Sequence, residues 1–463
     1  MVTASRWRRP GRLAGTALCA LSALTGVAAA HSGGLGGATR DPLAIPTWLF
    51  LLTGGGVVGV SFLLASFVTD RRLVDALHDW HRPLPTPGRL VRTTARLAAL
   101  AVLAATLAVG YLGPSTGVRN LAVLVVWVAW WGGYVASTYL LGNTWATLNP
   151  FRTLASALPS LDRPYPDRLG AWPSVAGLLL LVWVEVMTPL ADDPRLLATV
   201  LVVYTVITLA GTVTVGAEAW FGNADPLSRA FRLYGQLAPL HVADGRLRLR
   251  LPGAALPDTV LDGRDDVAFV VTLLFVTTYD GFVATGPWAS GARAVVDAGV
   301  PAPLLYLGAY LVGAVLFYLA YRASARLGRR QADTYLTTAY LARRFAPALL
   351  PIAAGYHLAH NLGSVLVLGP TLAAVAMAPL SPPASPPQLA GLPAWVGGVE
   401  LACVLLGHLV AVWVAHATAY DVFPSRLQAV RSQYGVTAVM VGYTMLSLWI
   451  VTEPYVAPPF IAT

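Results

Sequence analysis

The residues of this chain best suited to chemistry lie inside stretches that are otherwise apolar. His357, His360 and Asn361 fall in the run 345–368, His408 in 395–414, Asp280 in 267–284 and Glu185 in 171–190. Placing an ionisable side chain near the centre of a bilayer costs about 2.5–3.5 kcal/mol even on insertion scales, so such groups usually have a partner or a task. Spaced i and i+3, His357 and His360 share one face of a helix, roughly 60° apart. Counting about 1.5 Å per residue brings His408, in a run of opposite direction, to a similar depth. Three imidazoles and the Asp280 carboxylate are a first shell suited to zinc, copper or iron(II). The same groups can instead pass protons, with Asp280 or Glu185 as acid or base. Each histidine taken singly is also explained by a hydrogen bond to a neighbouring helix.

A second donor set would form at the N-terminus. Arg6, Arg8, Arg9 and Arg12 precede an apolar segment, 13–27, and Ala28-Ala29-Ala30. That order is the pattern of a cleaved secretory signal over residues 1–30. Cleavage would leave His31 first, offering an α-amine and an imidazole as a chelating pair for copper(II), on the Gly-rich arm 31–46. Other chemistries find no support. Every basic residue is arginine, which removes lysine nucleophiles and Schiff bases, and Cys403 is alone once Cys19 leaves with the signal. No phosphate-cradling glycine loop and no H-E-x-x-H or G-x-S-x-G is present.

The elements that must position these residues are membrane helices. The chain is 56% hydrophobic and 11% charged, against about 25% charged in soluble domains, so it cannot cover a water-facing surface of its own size. Ten runs of spanning length are expected, at 47–68, 97–112, 121–141, 171–190, 196–215, 267–284, 304–321, 345–368, 395–414 and 434–451. The second is expected to begin earlier, near Thr94. The odd-numbered connections then hold 23 arginines, whereas the outer segments hold only Arg40, Arg119, Arg195 and Arg293. This positive-inside pattern predicts a multi-pass protein of the cytoplasmic membrane with both mature ends outside. It also reads the net charge of +9 as topology, not as a nucleic-acid surface. The fold class expected is an all-α polytopic helical bundle over 47–463.

Two connections are long. Residues 221–266 are polar and carry Arg246-Leu247-Arg248-Leu249-Arg250 after Asp244-Gly245, the signature of a small hairpin. The outer connection 369–394 holds Ser381-Pro382-Pro383-Ala384-Ser385-Pro386-Pro387, expected to be a stiff, solvent-exposed spacer. A short repeat relates Gly142-Asn143 and Phe151-Arg152 to Gly222-Asn223 and Phe231-Arg232 at an offset of 80, as in transporters built from parallel repeats. His78 and His81 read as residues of a solvated loop, and His416 as interfacial.

Several short motifs carry a resemblance. Ala30-His31, Asp41-Pro42-Leu43-Ala44-Ile45-Pro46, Asn149-Pro150-Phe151-Arg152, Tyr279-Asp280-Gly281-Phe282, His360 and the stretch from Arg431 to Tyr443 together resemble the fenitrothion hydrolase-like family of prokaryotic membrane proteins. The chain departs from that pattern in its longer glycine stretch after His31 and in Asn361. The resemblance implies hydrolysis of a small apolar phosphoester. A bound divalent metal would polarise the substrate and acidify a water; His357, His360 and His408 are the candidates to hold it. Besides this enzyme, a transporter or copper-handling permease and a non-catalytic assembly subunit are consistent with the residues. The expected partners are the bilayer and a small apolar substrate or metal ion.

Overall fold

The structure, a computed structural model, describes residues 47–67, 70–243, 245–259, 261–389, 391–393 and 395–461. The signal segment, the glycine arm and His31 lie outside them. Every expected apolar run coincides with helix. Helix α1 (Thr47–Phe67) is followed by a short amphipathic α2 (Arg71–Asp79), a strand β1 (His81–Leu84) and α3 (Arg89–Leu112). Next come α4 (Leu121–Leu140, with a π-helical stretch at Val125–Tyr134), α5 (Pro150–Ala155), α6 (Trp172–Met187), α7 (Pro194–Val215) and α8 (Pro226–Leu237). Strands β2 (Leu240–Ala243) and β3 (Arg246–Arg250) lead to α9 (Arg264–Val283), α10 (Gly286–Asp297), α11 (Ala302–Ala332) and α12 (Thr338–Phe345). The chain ends with α13 (Leu350–Met377), α14 (Trp395–Val422), α15 (Arg426–Ser432) and α16 (Tyr434–Thr452). Among the described residues eight helical segments are long and apolar enough to cross a membrane, and α6 and the 51–67 part of α1 are shorter apolar helices. The protein is a multi-pass membrane protein, a helical bundle with one small sheet.

Contacts between connections support the alternation of the ten spans. On the arginine-rich side, β1 pairs with β3 and β3 with β2, so the first and fifth connections build one antiparallel sheet. Arg152 of the third connection pairs with Glu218 of the fifth, and Arg343 of the seventh donates to the carbonyl of Asp262. Arg71 of the first donates to the carbonyls of Tyr420, Phe423 and Pro424 in the ninth. On the opposite side Arg119 donates to the carbonyls of Pro382 and Pro383. There the tail after α16 folds back: Val456 N–H donates to Ala284 at 2.8 Å, and Tyr306 donates to Pro459. Odd connections thus bond to odd ones, and even ones to the even side.

The polar stretch 221–266 holds, besides the expected hairpin, the helix α8, most of which is buried, including Arg229 and Tyr234. Asp225 caps α8 by accepting from Ser228 N–H and also receives the Tyr204 hydroxyl. The expected hairpin is there, with β1 as an unforeseen third strand; it includes His81. Arg250 turns back from β3 to donate to the carbonyls of Gly235, Gln236 and Ala238, stabilising the C-terminal end of α8 as cations do there. Burial pulls its guanidinium down to about 10. The proline-rich connection is largely exposed, as expected, and is tied to the rest of the bundle as well. Pro370 lies inside α13, where a proline cannot donate and disturbs the preceding carbonyls. Close to it the carbonyl of Val367 accepts from Leu389 N–H, and Thr371 donates to Pro387. The repeat is not one of structure, since Gly142 bridges to Leu240 whereas Gly222 sits in a π-helical turn.

Helix α13 is the centre of the bundle, and glycines bring its neighbours against it. A Cβ on Gly355 would lie 2.5 Å from the Cys403 carbonyl oxygen, and one on Gly407 would lie 2.4 Å from that of Pro351. Gly132 of α4 faces Val365, and Gly281 of α9 faces the Tyr356 hydroxyl. In lipid, where tails are as apolar as side chains, such close backbone approach supplies much of the helix association. Gly407→Val should therefore lower the unfolding midpoint in detergent, by about 1–3 kcal/mol or more, because it forces two backbones apart. Gly442→Ala, with open space around it, should change the midpoint little. Equal midpoints for the two variants would refute this packing.

Candidate functional site

The site forms where α6, α9 and α13 meet beside α4. Asp280, in the last turn of α9, lies 3.1 Å by its Oδ2 from Nε2 of His360. Both are largely buried, so the contact is a carboxylate–imidazole pair inside the bundle. Tyr356, one turn before His360, stacks on its ring at 5.9 Å and 12°. Gly281 leaves the room for that tyrosine beside α9, and so sets the distance between the helices carrying the pair.

His357 is 1% exposed and faces α4. Its Nδ1 hydrogen-bonds the Tyr139 hydroxyl at 2.9 Å, and Trp131 meets its ring edge-on at 5.2 Å. Its Nε2 makes no hydrogen bond to any of the described residues. Asn361 donates to the His357 carbonyl, a bond within α13. Glu185 projects from α6. Glu185, Asp280, His357, His360 and Asn361 together line one small, partly open cavity of about 20 Å³, enough for about one water molecule.

The expected three-histidine cluster is not what the described residues form. The crossing of Gly355 and Gly407 does set His408 at a depth close to His357, as the counting implied. Yet His408 does not line the cavity, and its Nδ1 bonds the Val404 carbonyl of its own helix. Among the described residues no group of three or more His, Cys, Asp or Glu is close enough to hold a metal ion. The donors fit a resident metal poorly as they stand. Glu400 is also buried, beside Gly363 one turn beyond His360.

Toward the arginine-poor side, the folded-back tail crosses the end of α9 one turn above Asp280. Partial desolvation, and then the nearby carboxylates of Asp280 and Asp192, push the Tyr455 phenol up to about 12. Toward the other side, Tyr139 leads from His357 to Tyr234 of α8, their rings 5.4 Å apart. Sequence reasoning missed Tyr139, Tyr356 and Tyr234. The i, i+4 spacing of Tyr356 and His360 was a usable signal. Tyr139 gave none, since a tyrosine near a helix end is equally an interface residue.

Comparison with known proteins returns nothing: no family model, no curated protein and no solved structure matches the chain. The fold and the site define a multi-pass membrane protein with a buried acid–imidazole cavity.

Removing one partner of a buried polar pair leaves the other unsatisfied, at about 1–3 kcal/mol, and is expected to cost more than removing both. Asp280→Ala and His360→Ala should each lower stability more than additivity allows for the double variant. A thermal double-mutant cycle in detergent with zero coupling would show that the pair is not an interacting one.

Proposed function

We propose that this protein is a proton-coupled transporter of small cations, with Asp280 and His360 as the groups that exchange a proton for the cargo ion. The observation that carries this reading is the cavity itself. Two carboxylates and two imidazoles face a space the size of one water or one bare ion, within a membrane bundle. Groups that bind protons and cations at one place make the two compete, which is the physical basis of exchange. Intramembrane acids and histidines commonly mark such paths. A site without three converging donors holds an ion loosely, and loose binding favours release.

The two flanks support a route. Tyr455 lies near both Asp280 and Asp192 on the arginine-poor side. On the other side, the Tyr139 hydroxyl fixes His357 by their hydrogen bond, with Tyr234 next to it at the buried face of α8. The charge pattern puts the arginine-rich side in the cytoplasm, so the cation would be exchanged across the cytoplasmic membrane.

The hydrolase reading implied by the family resemblance is less well supported. Pockets for drug-sized ligands run to about 300–1,000 Å³, far above this cavity. No step through a metal follows from donors that do not converge.

The test is dye dequenching in proteoliposomes holding an imposed pH gradient, on addition of monovalent or divalent metal cations in turn. At least one cation should dissipate the gradient with the parent. With Asp280→Asn the rate should fall by about tenfold or more, as expected when a proton-exchanging group is lost. Tyr139→Phe should slow the rate while leaving cation selectivity unchanged. A response to no cation, or an equal response with Asp280→Asn, would sink the transporter reading.

A further inference from the structure

We propose that the first two turns of α3, with strand β1, form a binding site for the phosphate headgroup of an anionic phospholipid. Arg89, Arg92 and Arg96 are spaced i, i+3 and i+7, which gathers them within about 60° on one helical face. All three are exposed, and none of their guanidinium groups makes an ion pair or a hydrogen bond among the described residues. Arg82 of β1, also exposed, is tied to the same place by the short link 85–88.

The apolar residues between the arginines decide the kind of ligand. Leu90 is 78% exposed, Val91 59% and Leu97 59%. Of the 24 residues of α3 only Thr106, Val109 and Gly110 are buried, so its first turns lie against no protein core. The sheet continues this surface. Register places Leu84 and Val242 both opposite Leu247, on one face, and Arg82 opposite Leu249 on that face as well. Val242 is 66% exposed. A soluble polyanion would satisfy the guanidinium groups but leave Leu90, Val91 and Val242, which precede the span or lie on the sheet, in water. A phospholipid satisfies both, with the phosphate on the arginines and the acyl chains along Leu90, Val91 and Leu97. Arginine suits the task because its planar fork meets two phosphate oxygens at once, and its stem can lie along apolar surface.

The experiment counts lipids retained by the purified full chain in native mass spectrometry. The protein is equilibrated in mixed micelles of phosphatidylglycerol and phosphatidylcholine. The parent should retain phosphatidylglycerol in preference. Arg89→Gln, Arg92→Gln and Arg96→Gln combined should lower that retention by about fivefold or more, given the contribution of each arginine near an anionic surface. A control with the same loss of charge, Arg326→Gln, Arg330→Gln and Arg426→Gln, should retain as much as the parent. Should the triple variant fail to fold, Arg92→Gln alone serves, with a smaller loss in the same direction. Equal losses in the test and control sets would reduce the site to general charge and overturn it. Displacement of the lipid by millimolar inorganic phosphate would overturn it too, as a site for a soluble anion. Retention of lipid in the presence of that phosphate supports it.

Discussion

Between α13 and α14 the two backbones touch at Gly355 and Gly407, and the site is built outward from that contact. A helix held this closely cannot rotate without striking a neighbour's carbonyl. Its polar face is therefore fixed toward α4, α6 and α9, whose own glycines at 132 and 281 repeat the arrangement on two further sides. Only then does a single turn of α13 meet the Asp280 carboxylate with His360 and the Tyr139 hydroxyl with His357. The polar groups in turn penalise any other packing, because each would be left unpaired in a medium without water.

Much of this was legible in the residues before any coordinates. The apolar runs located the helices to within a few residues, and arginine placement gave their alternation, which the bonded connections on each side support. Depth counting brought His357 and His408 to one level with His360 a turn further on, and the contact of Gly355 with Gly407 agrees for His357 and His408. What the counting lacked was azimuth across helices. Whether two residues at one depth face each other depends on which helices are neighbours, and no period in one sequence encodes that. Hence Asp280 and His360 meet, whereas His408 bonds back to its own helix. Tyr139 was invisible for the same reason.

The errors in the connections have a different origin. Residues 226–237 read as polar because they carry Arg229, Arg232 and Gln236. Yet Arg229 is buried against Asp266 of α9, which neutralises it. A charge paired in the fold looks the same in sequence as a charge in water. Strand β1 was missed because four residues containing a proline make a weak strand, and only its partner β3 makes it one.

The stretch of α13 around Pro370 has a mechanical meaning of its own. The Val367 carbonyl holds Leu389, Thr371 holds Pro387, and the same loop is gripped through Pro382 and Pro383 by Arg119. Arg119 immediately precedes Asn120, whose side chain caps α4, and α4 carries the tyrosine that holds His357. The linkage is thus a closed loop: a displacement of the far end of α13 returns, through the outer connection, to the opposite side of the same histidine. A flexing of this helix is felt twice at the cavity, once along its own backbone and once from across it.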